Sequence, residues 1–394
     1  MSDRSLHPEA NREKDHSRPI LLVTNDLGPR AGGIETFILG LLDQLDGSLV
    51  VIYTASQDGS AEFDQRLAAK TGVTIIRDRT SILLPTPWVN RRVREVMKRY
   101  QSETIWFGAT MPLAWMSGLL KRGGAKRVVG ITHGHEVWWS KLPIFRHIFH
   151  RSTRHMDVLT YLGEFTRSAM APAVHRNCQL VQIAPGIPLE HFTPGEKSEE
   201  LLRSLELQGH KVLISVGRLV HRKGQDKLLE ALPAIIKNCP DVVLVYVGVG
   251  PRKAKLDELV RKDHLENYVR FVGRVNYSDL PKYFRLGDLF VMPSRSRLAG
   301  LEVEGLGIVY LEASACGIPV IAGKSGGAPD AVLEGVTGYV VDGTNIDEIA
   351  RVINDALSDP TKLREMGAAG HQWVNEKWGW QLWGAKFKEL LLSN

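Results

Sequence analysis

No apolar run in this sequence reaches the roughly 18 residues that a bilayer-spanning helix needs, and the N-terminus lacks the apolar core of a signal peptide. The expectation is a protein made and kept inside the cell. Cysteine is scarce. Cys178, Cys239 and Cys316 are odd in number and share no metal or redox spacing, which argues against a disulfide framework and for a reducing compartment with the thiols as packing residues. A complete dinucleotide fingerprint is missing too. The apolar run over Leu244 to Gly248 leads into GVGPRK, but Lys253 stands where the third glycine of Gly-x-Gly-x-x-Gly belongs, so an NAD-dependent oxidoreductase is disfavoured. Residues 1–17 lack hydrophobic periodicity and read as a disordered tail to which no function attaches.

What the chain does have is length for two cores and a regular alternation of short apolar runs with helical stretches. At 394 residues it exceeds what one core organises. Apolar runs of strand length open at Ile20, Leu49, Val73, Thr104, Val128, Val158 and Leu180, and a second series begins at Lys211. Strand alternating with helix implies parallel sheets covered on both faces. The Pro- and Gly-rich loop APGIPLEHFTPGEKS, around 185–200, separates the series, giving Rossmann-like α/β domains over 18–188 and 189–372 that face across a cleft. The closing segment, 373–394, is helical and carries Trp373, Trp378, Trp380 and Trp383 at or near its start, which suggests that it docks on something.

The chemistry concentrates in GLEVEGLGIVYLEASACGIPVIAGKSGGAP, residues 300–329. Gly305 and Gly307 suit a loop that brings backbone close to a ligand, and helical spacing begins near Ile308 and stops at Gly317. Glu304 then lies on the loop and Glu312 on the second helical turn. Between them the N–H groups of Gly307, Ile308 and Val309 point out of a positive helix end that favours a phosphate. An anion site flanked by two hydroxyl acceptors has the layout of a nucleotide sugar, with Glu304 on the sugar and Glu312 on the ribose; as helix-start residues the two glutamates would need no ligand at all. Arg218 and Lys223, five residues apart at the entrance of the helix that follows the second domain's opening strand, would oppose the macrodipole unless an anion such as a diphosphate faced them. In the first domain the strand VVGIT runs into HGHE, setting His133 and His135 at a carboxyl-end loop where open α/β sheets bind ligands; metal binding competes, without a further ligand cluster to support it. The loop NDLGPRAGG sets Asp26 and Gly33 at a corresponding place after the first strand.

The net charge of +6 favours an anionic partner and by itself does not choose among nucleotide, nucleic acid and anionic lipid. The stretch Arg91 to Tyr100, RRVREVMKRY, sets Val93, Met97 and Tyr100 under an almost wholly basic face, either a solvated surface or an interfacial helix for anionic lipid.

Residues 300–329 resemble the Glu-x7-Glu signature of retaining glycosyltransferases with the GT-B fold, and LEVEGLGIVYLEASACGIPVIAG is similar to the mannosyltransferases that build phosphatidylinositol mannosides. The resemblance extends over about residues 18–394. It implies a mannose donor, GDP-mannose, a phosphatidylinositol monomannoside acceptor, no nucleic acid, and a cytoplasmic enzyme peripheral on the inner face of the cell membrane. It further implies His133 as the better contact for the transferred sugar with His135 in reserve, Gly33 on the donor phosphate, Asp26 on the acceptor, and the backbone of Val272, Gly273 and Arg274 at the base. Arg218 and Lys223 match the family's phosphate-binding pair, and the last helix is expected to cross back onto the first domain. With no Asp-x-Asp in the chain, these two cations and the helix end stand in for a metal. A glycosyltransferase with another donor or acceptor, a nucleotide-sugar epimerase and a non-catalytic lipid-binding protein are the alternatives.

Overall fold

The computed structural model describes residues 18–29 and 32–393; the tail at 1–17 lies outside them. Within the described residues the apolar runs become two parallel sheets. The first comprises β1 (Ile20–Thr24), β2 (Val50–Thr54), β3 (Thr74–Arg77), β4 (Thr104–Phe107), β5 (Arg127–Gly130), β6 (Val158–Tyr161) and β7 (Gln179–Gln182), in the order β3-β2-β1-β4-β5-β6-β7. The second comprises β8 (Lys211–Val216), β9 (Val242–Val247), β10 (Val269–Gly273), β11 (Leu289–Met292), β12 (Val320–Gly323) and β13 (Gly338–Val341), in the order β10-β9-β8-β11-β12-β13. Both orders reverse direction beside their first strand, β1 next to β4 and β8 next to β11, and a crevice opens at such a switch point. All residues of β1, β2, β9 and β11 are buried, as expected for strands covered on both faces.

The strand before the histidine loop is shorter than its sequence suggests. Ladder pairing of β5 stops at Gly130, yet Ile131 still donates its N–H to the Phe107 carbonyl at 3.0 Å, and the Thr132 hydroxyl donates to the Thr160 carbonyl at 2.8 Å. A side-chain bond takes over where the ladder ends, which turns the chain into His133 while keeping it anchored.

The C-terminal segment crosses the cleft. Helix Pro360–Lys377 packs on the second domain, the chain passes through Trp378 and Gly379, and helix Trp380–Leu392 lies against the first sheet. There Phe387 meets Trp106 edge-on at 4.8 Å, and the Arg127 Nε donates to the Leu390 carbonyl at 2.6 Å. Gly40 makes the docking feasible, since a Cβ there would fall 2.1 Å from the Trp380 ring. The outgoing linker at Ile187 donates to the Trp378 carbonyl at 2.7 Å, so both interdomain crossings run side by side.

Candidate active site

The carboxyl-end loops of both sheets line one cavity of about 650 Å³, within the range of small-molecule sites. Its second-domain wall is the loop ending at Gly307 and the helix Ile308–Ala315. Gly307 adopts φ +80°, and a Cβ would lie 2.5 Å from the Tyr310 ring, so only glycine permits this helix start. No side chain caps the helix, and Gly307, Ile308 and Val309 all border the cavity.

Glu304 is the electrostatic centre. Its Oε2 accepts from Arg222 Nη1 at 2.5 Å and sits 2.8 Å from Lys223 Nζ. Burial acts to raise the Glu304 pKa, but Lys223 and then Arg222 outweigh it and hold the carboxyl below its ordinary value. Arg222 also approaches Glu302 at 3.9 Å, which is itself paired with Arg297 at 2.7 Å. Gly224 ends the His221–Lys223 turn in the left-handed region, which delivers Lys223 to the cavity just before the helix Gln225–Asn238.

Glu312 has the opposite character. Burial pushes its carboxyl up to about 7, against the lowering pull of Lys223 and a hydrogen bond from Tyr277. Tyr277 lines the same cavity, and its ring stacks on His191 with centroids 5.2 Å apart, the His191 Nε2 donating to the Tyr277 carbonyl at 2.9 Å. Because the folded value lies above the ordinary 4.5, the folded protein holds an extra proton between these values. The associated stability is fully present below about pH 4.5 and is lost as pH rises through about 7. Glu312→Gln should therefore raise the melting temperature at pH 8 and leave it nearly unchanged at pH 4.5, the gap between the two values being worth about 3 kcal/mol. Equal changes at both pH values would contradict a buried, proton-holding Glu312.

The first-domain wall carries the histidines. His133 Nε2 donates to the Gly108 carbonyl at 2.6 Å, leaving Nδ1 as the acceptor of a neutral ring. Burial lowers its pKa, with Glu136 and the Gly108 bond opposing, so the ring is neutral at pH 7. Glu136 is fully buried and accepts the His133 backbone N–H at 2.9 Å while lying 3.4 Å from His135 Nε2. His135 is exposed and stacks parallel to His133 at 6.2 Å. The walls come closest at two glycines, where a Cβ on Gly134 would meet the Gly305 Cα at 2.9 Å.

Of the residues singled out from sequence, Gly33, His133, His135, Lys223, Glu304, Gly307, Ile308, Val309 and Glu312 border this cavity. Asp26 lines an adjoining recess of about 270 Å³ that shares Gly33 with it. Burial raises the Asp26 pKa, and the nearby His133 and His135 lower it. Arg218 is exposed on the loop after β8 and does not border the cavity; its carbonyl accepts from Gln225 Nε2 at 3.3 Å. Val272, Gly273 and Arg274 lie at the end of β10, outside the cavity lining, with the Gly273 carbonyl accepting from Gly248 at 2.7 Å. Trp138 and Trp139 pack on each other and on Phe145 and are not part of the lining. Two contributors escaped sequence reasoning, Arg222 and Tyr277, while Glu136 is placed by the sequence on the histidine loop without a role. For Arg222 a signal existed in the run of three basic residues before Gly224. Among the described residues no three His, Cys, Asp or Glu side chains converge as metal ligands would.

Two parallel-sheet domains that meet at their carboxyl edges over an acid and cation cluster define the GT-B class of glycosyltransferases. The described residues superpose on Anabaena HepE in complex with UDP with a TM-score of 0.79 at 19% identity, covering 95% of this chain and 100% of that one. Sucrose-phosphate synthase from Thermosynechococcus elongatus gives 0.76 at 22% identity, covering 95% and 98%. Residues 197–373 match the family described as Glycosyl transferases group 1. The chain is 41% identical over 374 residues to the GDP-mannose-dependent alpha-(1-6)-phosphatidylinositol monomannoside mannosyltransferase of Mycolicibacterium smegmatis, covering 94% of this chain and 98% of that one. It is 38% identical over 380 residues to the GDP-mannose-dependent monoacylated alpha-(1-6)-phosphatidylinositol monomannoside mannosyltransferase of Corynebacterium glutamicum, covering 96% and 98%. The chain therefore belongs to the group 1 glycosyl transferases and groups with the actinobacterial phosphatidylinositol mannoside mannosyltransferases.

Proposed function

We propose that this enzyme transfers mannose from GDP-mannose to a phosphatidylinositol monomannoside with retention of anomeric configuration. The observation that carries the reading is the cluster of Glu304, Arg222 and Lys223 beside an uncapped helix start, in a chain whose near full-length relatives carry that activity in their names. The helix end and Lys223, joined by Arg218 from its exposed loop, receive the donor diphosphate. Glu304 binds mannose hydroxyls, Glu312 the ribose, and the backbone of Val272 to Arg274 the base. His133 faces the transferred sugar, with Asp26 and His135 on the acceptor side. As the bond from the anomeric carbon to phosphate oxygen breaks, the acceptor oxygen attacks from the same face, and its proton passes to the departing phosphate. Cations beside that phosphate stabilise the developing charge.

No helix among the described residues is long and apolar enough to cross a membrane. An acceptor with acyl chains stays in the bilayer, since exposing each CH2 costs about 0.8 kcal/mol; the enzyme comes to it as a peripheral protein on the inner face of the cell membrane. In this reading the diphosphate is neutralised by side chains and a helix end, and no metal cofactor is required. Transfer should persist in EDTA at the parental rate. Complete loss on chelation, restored by magnesium or manganese, would show that a metal shares the work.

A further inference from the structure

We infer that Arg295 is a positioning residue that delivers Lys223 to the donor diphosphate by gripping the turn His221–Lys223 through His221 and Asp226. The inference rests on the donor reading above and adds to it the part that holds the cation in place. Arg295, His221 and Asp226 do not border the cavity, so any effect they have on donor passes through the turn. The turn has little of its own to fix it. Its local bonds run from the Lys223 N–H to the Val220 carbonyl at 3.1 Å and from the Gly224 N–H to the His221 carbonyl at 3.4 Å. Arg295, on the loop after β11, grips it from outside. Its backbone N–H donates to the Arg222 carbonyl at 2.8 Å, and its Nη2 lies 2.8 Å from His221 Nδ1 and 2.7 Å from Asp226 Oδ2. His221 opens the turn and Asp226 lies in the first turn of the helix after it, so one guanidinium ties together the residues on either side of Lys223. Gly224 lets the two loops meet this closely, since a Cβ there would fall 1.9 Å from the Pro293 carbonyl oxygen.

Fold stability alone is a poor reason for this arrangement. Arg295 is 6% exposed and Asp226 8%, and a buried ion pair is often no better for stability than apolar residues of the same volume. The guanidinium also leaves its Nη1 buried without a hydrogen-bond partner among the described residues, which is a further cost. What the pair provides is direction. A guanidinium is a planar fork with donors in fixed directions, so it holds an imidazole and a carboxylate at once, where an ammonium acts as a point charge on a flexible stem. Lys223 Nζ is thereby kept 2.8 Å from Glu304 in the cavity wall. Misplacing such a group by about 1 Å lowers a rate by up to about a hundredfold.

The test is a double-mutant cycle read by calorimetry with GDP. Arg295→Met/Asp226→Asn removes both buried charges together, so that neither is left unpaired, and melting temperatures verify that the variant folds. In the parent chain this pair should weaken GDP binding about tenfold. In Lys223→Ala it should change GDP binding by less than about twofold, because the residue through which Arg295 acts is gone. Equal losses in both backgrounds would make Arg295 a general support of the domain and overturn the inference, as would parental affinity in the variant that keeps Lys223. If the paired variant does not fold, His221→Phe carries the same cycle. It keeps a ring, removes the acceptor of one Arg295 bond and leaves the ion pair with Asp226 intact. The expected loss is then about threefold in the parent and none in Lys223→Ala, with the same two overturning results. Failure of the donor reading shows separately, in a parent chain that binds no GDP.

Discussion

Lys223→Ala is expected to weaken GDP binding about a hundredfold and to lower transfer about a thousandfold, since a buried charge-assisted contact contributes about 1.5–3 kcal/mol and a charge aimed at the leaving group adds to it in the transition state. The side chain is 10% exposed and has Glu304 as its anionic neighbour, so no bulk solvent substitutes for it. Calorimetry with GDP measures the ground-state part directly. Unchanged affinity would reject Lys223 as a phosphate ligand. Arg218→Ala and Arg222→Ala complete the comparison. A loss from Arg218→Ala as large as that from Lys223→Ala means that Arg218 turns inward when donor binds, whereas a loss confined to Arg222→Ala moves the phosphate contact to the residue already on Glu304.

Glu304→Gln should separate binding from chemistry in the other direction. It is expected to lower transfer by about a hundredfold to a thousandfold by removing a contact to the mannose hydroxyls, on the scale of losing one preorganised transition-state contact. GDP affinity should stay level or rise, because Arg222 and Lys223 lose their competing anion. The variant also leaves Lys223 without its carboxylate and Arg222 with only Glu302 at 3.9 Å, so a fall in stability of about 1–3 kcal/mol accompanies it, the amide still accepting a hydrogen bond. A variant that binds GDP a hundredfold more weakly would show that Glu304 acts by organising the cations rather than by holding sugar.

Much of the architecture was legible because parallel strands buried on both faces leave near-continuous apolar runs such as ILLVT and KVLISV, and because Gly-rich turns punctuate them. Period and turn chemistry are local signals. The loop carrying Glu304 and the helix carrying Glu312 were legible for the same reason, through Gly305, Gly307 and Gly317. The direction of a side chain on a tight turn is not local. Arg222 and Arg218 differ by four positions, yet one reaches a carboxylate 82 residues away in sequence while the other stands exposed, a difference set by the left-handed turn at Gly224 and by the position of the loop after β11. Tyr277 was obscured likewise. It follows β10 in an ordinary polar turn, and only the packing of that turn on His191 brings it against Glu312. Glu136, next to His135 and three positions after His133, became meaningful only once its burial and its bond to the His133 backbone were known.

The most direct measurement follows label from purified enzyme, radiolabelled GDP-mannose and a phosphatidylinositol monomannoside in mixed vesicles, with the anomeric configuration of the product read by NMR. The account predicts label in the lipid fraction as an α-linked mannose. Label that remains water-soluble, as free mannose or as an epimerised nucleotide sugar, or lipid product with inverted configuration, would contradict it.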